Sequence, residues 1–190
     1  MPTFDDVMRI IYNILVALLL SVSVVGCSAM YDQEAMPSHD RTTLVRVGAL
    51  APDFTVTTLD GKSVTLSQLQ GRLVLLVFFA SWSPDCHKQL DAVEAIQDNF
   101  DSDRFTTLVL SCGEELDKVR DFIAQRKYTF HVGVDTDRAI YSLYATEYLP
   151  RCFVIDPFGR IVALSAEYSA EEFHILCDII ASQLSVGEQL

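Results

Sequence analysis

The sequence predicts an α/β fold, a central mixed β-sheet flanked by helices with an N-terminal β-hairpin extension. Three observations carry that expectation. Leu73 to Phe79 is an unbroken apolar run of the length and composition of a fully buried strand. It passes through a short polar turn into a helix start, with Ser83 suited to the N-cap and Pro84 to the first helical position. Two later amphipathic helical patterns alternate with further strand-like runs, which is the order of α/β domains.

The elements follow in chain order. Thr55 to Leu59 and Ser63 to Leu66 alternate apolar and polar residues around Asp60-Gly61, a dipeptide that supplies the positive φ of a tight hairpin turn. Ser67 to Gly71 reads as a helical turn closed by glycine. After the strand at Leu73–Phe79, a helix from Pro84 to about Phe100 places Leu90, Val93, Ile96 and Phe100 on one face. Phe105 to Leu110 is a second buried strand, ending in Ser111-Cys112-Gly113. Glu114 to Lys127 is a helix with Leu116, Val119, Phe122 and Ile123 inward and acids at its start. Phe130 to Val134 is strand-like, and Asp135-Thr136-Asp137 caps a short helix through Tyr144. A second hairpin joins Cys152–Ile155 to Arg160–Leu164 through Asp156-Pro157-Phe158-Gly159. Ala170 to Leu184 closes the chain as an amphipathic helix, with Cys177 on its inward face.

A buried strand that feeds a helix start puts outward-pointing amides at the end of a sheet, where α/β proteins place their chemistry. Here that stretch reads Phe78-Phe79-Ala80-Ser81-Trp82-Ser83-Pro84-Asp85-Cys86-His87. It resembles the Trp-Cys-x-x-Cys segment of thioredoxin-like thiol–disulfide oxidoreductases, most of all the membrane-anchored TlpA/ResA and redoxin branch. Gly48-Ala49-Leu50-Ala51-Pro52-Asp53-Phe54 resembles the Gly-x-x-Ala-Pro-x-Phe start of the redoxin group. The likeness runs from about Val47 to about Leu164.

The resemblance implies a nucleophilic cysteine at position 83, and this chain has serine there. Cys86 keeps the position of the second, resolving thiol. The first thiol of such a site ionises readily because helix amides favour the thiolate. A hydroxyl is too weak an acid to replace it and forms no disulfide, so the site is degenerate and exchange through it is impaired. The resemblance also implies a cis-proline facing the active-site helix, for which Pro150 in Leu149-Pro150-Arg151-Cys152 is the candidate. A groove for an extended peptide beside it would involve Trp82, Pro84 and Leu149. Cys112 and Cys152, each expected near the same sheet edge, are the candidate redox partners for Cys86. Its other reading is a small core residue.

Other chemistries are weaker. Ser83 and His87 stand four apart, but no Gly-x-Ser-x-Gly is present and the hydroxyl is claimed by the helix cap. Cys86, His87, Cys112 and His131 offer copper or zinc donors, but no Cys-x-x-Cys occurs among the five cysteines. No cofactor or metal is expected. The net charge of −12 argues against a nucleic-acid partner, which demands a basic face.

The amino-terminal residues 1–26 read as a lipoprotein signal peptide. Ile10 to Val25 is an apolar run shorter than the roughly 20 residues of a spanning helix. It ends in Val24-Val25-Gly26-Cys27, which resembles a lipobox and makes Cys27 the lipidation site, an uncleaved anchor being the alternative. Asp5 and Asp6 are unusual ahead of such a run, and Met8 is a candidate start. Residues 27–46 read as a flexible tether and 47–190 as the folded domain. The expectation is a protein of the bacterial cell envelope, lipid-anchored at the membrane, with an envelope protein or peptide as partner.

Overall fold

The computed structural model describes residues 41–100 and 103–186. The signal peptide, Cys27 and the tether up to residue 40 lie outside the described residues. The chain divides into two units, Met1–Met36 and Pro37–Leu190, and every described residue belongs to the second.

A five-stranded sheet has the order β5-β4-β3-β6-β7: β3 (Leu73–Phe79), β4 (Phe105–Cys112), β5 (His131–Asp135), β6 (Arg151–Ile155) and β7 (Ile161–Ala166). The strands β3, β4 and β5 run parallel, and β6 and β7 run antiparallel to their neighbours. Every residue of β3 is buried, which is why its sequence is a continuous apolar run without alternation. In front stands a separate two-stranded hairpin of β1 (Thr55–Thr57) and β2 (Ser63–Thr65), with Gly61 at φ 82° in its turn.

The twofold alternation of β3 divides the core. Leu73, Leu75, Val77 and Phe79 share one cluster with Cys86, Leu90 and Val93 of α1 (Pro84–Ile96), Val119 of α2 (Leu116–Arg126), and Phe173, Leu176 and Ile180 of α3 (Ala170–Val186). Val74, Leu76 and Phe78 face the opposite cluster, with Phe54, Val56, Tyr141 and Tyr144. The three helices thus cover one face. The hairpin and the short helical turns at Leu66–Leu69 and Tyr141–Leu143 cover the other. The Asp135 carboxylate caps the second of these turns, accepting from the Ile140 and Tyr141 amides at 3.1 and 2.7 Å. Among the described residues no helix is long and apolar enough to cross a membrane.

Several local expectations are corrected. The α1 helix stops at Ile96 and tightens into a single turn at Gln97–Asn99 instead of continuing to Phe100. The α2 helix starts at Leu116, whose side chain is exposed; of the four residues expected inward, only Val119 is fully buried. The end of the tether is part of the folded unit. Thr42 is buried, Thr43 bridges Ala145, and the Leu44 amide donates to the Tyr144 carbonyl at 2.8 Å.

Candidate active site

The site is assembled where β3 turns into α1. Ser83 has extended backbone angles, and its Oγ accepts from the Cys86 amide at 3.3 Å while Pro84 opens the helix. That hydroxyl is buried and occupied as a cap, which in general contributes about 1 kcal/mol to a helix. Just ahead of it, Trp82 is 69% exposed.

Glu114, between β4 and α2, holds the turn from below. Its carboxylate accepts from the Ser81 amide at 2.7 Å, the Ser81 hydroxyl at 2.5 Å and the Ser111 hydroxyl at 3.0 Å, and pairs with Lys118 at 3.1 Å. Burial pushes this carboxyl up, but the Ser81, Lys118 and Ser111 bonds outweigh burial and leave it below the usual value.

Cys86 points into the core and is inaccessible to solvent. Its sulfur accepts from the Ala80 amide at 3.4 Å. Burial raises the thiol pKa; the Ser83 and Ala80 bonds offset this in part, and the Asp85 and Glu114 charges raise it further. The Leu149–Pro150 bond is cis. In the antiparallel pairing of β3 with β6, Phe78 near the end of β3 stands opposite Arg151 at the start of β6. The Leu149–Pro150 segment that precedes β6 and the Trp82–Ser83–Pro84 turn that follows β3 therefore lie at the same end of the sheet.

The candidate partners of Cys86 are placed differently from each other. The β4 strand ends at Cys112, and Leu108, Leu110 and Cys112 share the face away from α1. Ser111, not Cys112, faces the site side and bonds Glu114. The expectation that pairs Cys112 with Cys86 fails on this alternation, since the sheet separates them. Cys152 shares the Cys86 cluster but is fully buried, and burial pushes its thiol up to about 12. Cys86, Cys112, Cys152 and Cys177 are all free thiols.

His87 does not serve Ser83. Its Nε2 donates to the Ser81 carbonyl at 2.6 Å, its Nδ1 accepts from Arg126 at 3.0 Å, and its ring stacks on Phe122. Both ring nitrogens are thus taken, and no Ser–His couple forms. Among the described residues no group of three or more His, Cys, Asp or Glu side chains is placed to hold a metal.

Three features were missed by sequence reasoning. Glu114 was read only as an acid favouring a helix start. Gln89, one turn after Cys86, is buried with its Nε2 unpartnered. Arg151 is 1% exposed, its guanidinium donating to the hydroxyls of Thr42 and Thr43 and the carbonyl of Glu147. A polar residue directly after the proline was the only available signal for it.

Comparison with known proteins agrees with this arrangement. The AhpC/TSA family model matches residues 47–164. Thiol-disulfide oxidoreductase ResA of Bacillus anthracis is 28% identical over 158 residues, covering 81% of this chain and 86% of that protein. ResA of Bacillus subtilis is 31% identical over 115 residues, covering 60% and 64%. The solution structure of a candidate protein disulfide isomerase from Bacteroides thetaiotaomicron superposes with a TM-score of 0.73 at 36% identity, over 78% of this chain and 96% of that one. The pneumococcal exposed lipoprotein thioredoxin Etrx1 shares the fold, with a TM-score of 0.58 at 23% identity over 66% and 97%. The chain belongs to the AhpC/TSA family, and its folded unit is a thioredoxin-like domain of the thiol–disulfide oxidoreductase type.

Proposed function

We propose that this protein is a lipid-anchored envelope protein whose thioredoxin-like domain holds a partner chain in the groove beside Pro150 without exchanging disulfides with it. The observation that carries this reading is the Ser83–Cys86 pair. The helix mouth offers a hydroxyl that accepts from the Cys86 amide, and the only sulfur of the motif lies behind it, inaccessible and with its pKa raised. Attack on a disulfide needs both a thiolate and access, and Cys86 has neither. The groove keeps its furniture: an exposed Trp82, the cis Leu149–Pro150 bond and the half-buried Leu149. The signal-like run ending at Cys27 supports the lipid anchor.

Two experiments test this reading. The folded full-length chain is incubated with an activated aryl disulfide and its adducts are mapped by mass spectrometry. Cys86 stays unmodified until denaturant is added; rapid modification in the folded chain overturns the non-covalent reading. Radiolabelled palmitate fed to expressing cells labels the wild-type chain and not Cys27→Ala. Equal labelling of both removes the lipid anchor.

A further inference from the structure

We propose that a cleft between the β1–β2 hairpin and the sheet binds a small amphipathic anion, an aryl or short aliphatic carboxylate held by Arg72. Arg72 stands at the start of β3 and Ser83 follows its end, so this cleft is separate from the groove beside Pro150 and does not depend on it.

The hairpin is seated on the sheet at one place and parts from it at another. Thr58 bridges Gly133, and the Leu59 amide donates to the Val132 carbonyl at 2.8 Å. A side chain at Gly133 would come within 2.7 Å of Val56 and Leu110, so the two layers meet tightly there. Two residues earlier along β5, where His131 pairs with Leu108, they leave a cavity of about 220 Å³. Its floor is apolar: Leu108 is buried, and Val64 and Leu69 are half-buried against the same cluster. Apolar cavities of about 150 Å³ hold a benzene ring, so a ring or a chain of a few carbons fits here.

The polar groups around that floor select an anion. The charged and titratable side chains lining the cavity, Lys62, Arg72 and His131, are all basic and all exposed at its mouth. Lys62 is engaged by Asp60 at 2.7 Å, and the same carboxylate takes the Thr58 hydroxyl. Arg72 and His131 have no acidic partner among the described residues, although the chain carries 26 acidic residues against 14 basic ones. Asp103 borders the adjoining cavity with Arg72 and is not paired with it. Thr106 shares the face of Leu108 by the alternation of β4, and its hydroxyl has no hydrogen-bond partner among the described residues. The planar fork of an arginine matches the two oxygens of a carboxylate, with the hydroxyl and the imidazole as further donors. A few convergent polar groups over an apolar floor are the usual make-up of a small-molecule site.

The probes are benzoate, its neutral counterpart benzamide, and inorganic phosphate, each titrated into the full-length chain. Binding is read from the methyl resonances of Leu108 and Val64 and the ring resonances of His131. Benzoate shifts all three saturably, with the millimolar affinity usual for so small a ligand. Benzamide lacks the charge and phosphate lacks the ring, and each binds about ten-fold more weakly. Arg72→Gln, a change at an exposed position, brings benzoate down to the benzamide level. The proposal is overturned if benzoate gives no saturable shift at Leu108 and Val64, or if benzamide or phosphate binds as tightly as benzoate. Benzoate binding that is unchanged in Arg72→Gln overturns it as well.

Discussion

The carboxylate of Glu114 grips Ser81 twice, taking its amide at 2.7 Å and its hydroxyl at 2.5 Å, and so ties the turn that carries Trp82 and Ser83 to the sheet edge. Hydrogen bonds to a buried charge are worth more than neutral ones, so Glu114→Gln lowers stability by about 1–3 kcal/mol. The sign of the pH dependence follows from the direction of the shift. The folded carboxyl sits below its usual value of about 4.3, so the stabilisation is complete above that value and is lost as pH falls through the lower folded value. Urea denaturation of wild type and Glu114→Gln at a series of pH values checks this. The gap between them is widest near neutrality and closes in acid; a gap that grows in acid contradicts the assignment.

Replacing Ser83 separates its two roles. Ser83→Ala removes the acceptor of the Cys86 amide and costs about 1 kcal/mol in thermal or urea denaturation. Ser83→Cys restores sulfur at a helix N-terminus, where the amides favour the thiolate and lower its pKa by one unit or more from about 8.5. Burial holds the thiols of Cys86, Cys112, Cys152 and Cys177 above the usual range. Thiolate ultraviolet absorbance appearing below pH 8 in Ser83→Cys, and absent from the wild type, is the expected outcome.

Arg151 fastens the beginning of the domain to the loop before Pro150. Its guanidinium donates to the Thr42 hydroxyl at 2.6 Å and to the Glu147 carbonyl at 2.9 Å, and the Thr146 amide donates to the Thr42 carbonyl at 2.9 Å. Arg151→Leu strands these acceptors in a buried place and costs about 2–3 kcal/mol. Hydrogen exchange locates the damage: the Leu44 and Thr146 amides lose protection first, ahead of the β3 amides. Uniform loss across the domain contradicts a local clasp.

What the sequence made legible is what repeats or is locally determined. The apolar run of β3, the Asp60-Gly61 turn and the Ser83-Pro84 helix start depend on neighbours in the chain, and all three stand where they were expected. The misplaced items depend on which face of a strand meets the helices and on what lies across the fold. Alternation along β4 puts Ser111 toward the site and Cys112 on the opposite face, and no local pattern says which face of the strand meets the helices. Glu114 and Arg151 draw their meaning from Ser81 and from Thr42 and Thr43, partners 33 and more than 100 residues distant. Residues 42–45 carry too little periodicity to announce that they pack on the domain; the pairing with Tyr144–Thr146 and the Arg151 bonds show it.

The central claim is that sulfur is missing from the helix mouth while the scaffold around it is intact. The most direct measurement is the reduction of insulin disulfides by dithiothreitol with catalytic amounts of the full-length chain, run on wild type, Ser83→Cys and the double variant Ser83→Cys, Cys86→Ala. Wild type adds nothing to the rate of dithiothreitol alone, Ser83→Cys accelerates it, and the double variant loses that gain. Catalysis by the wild type that disappears in Cys86→Ala contradicts the account.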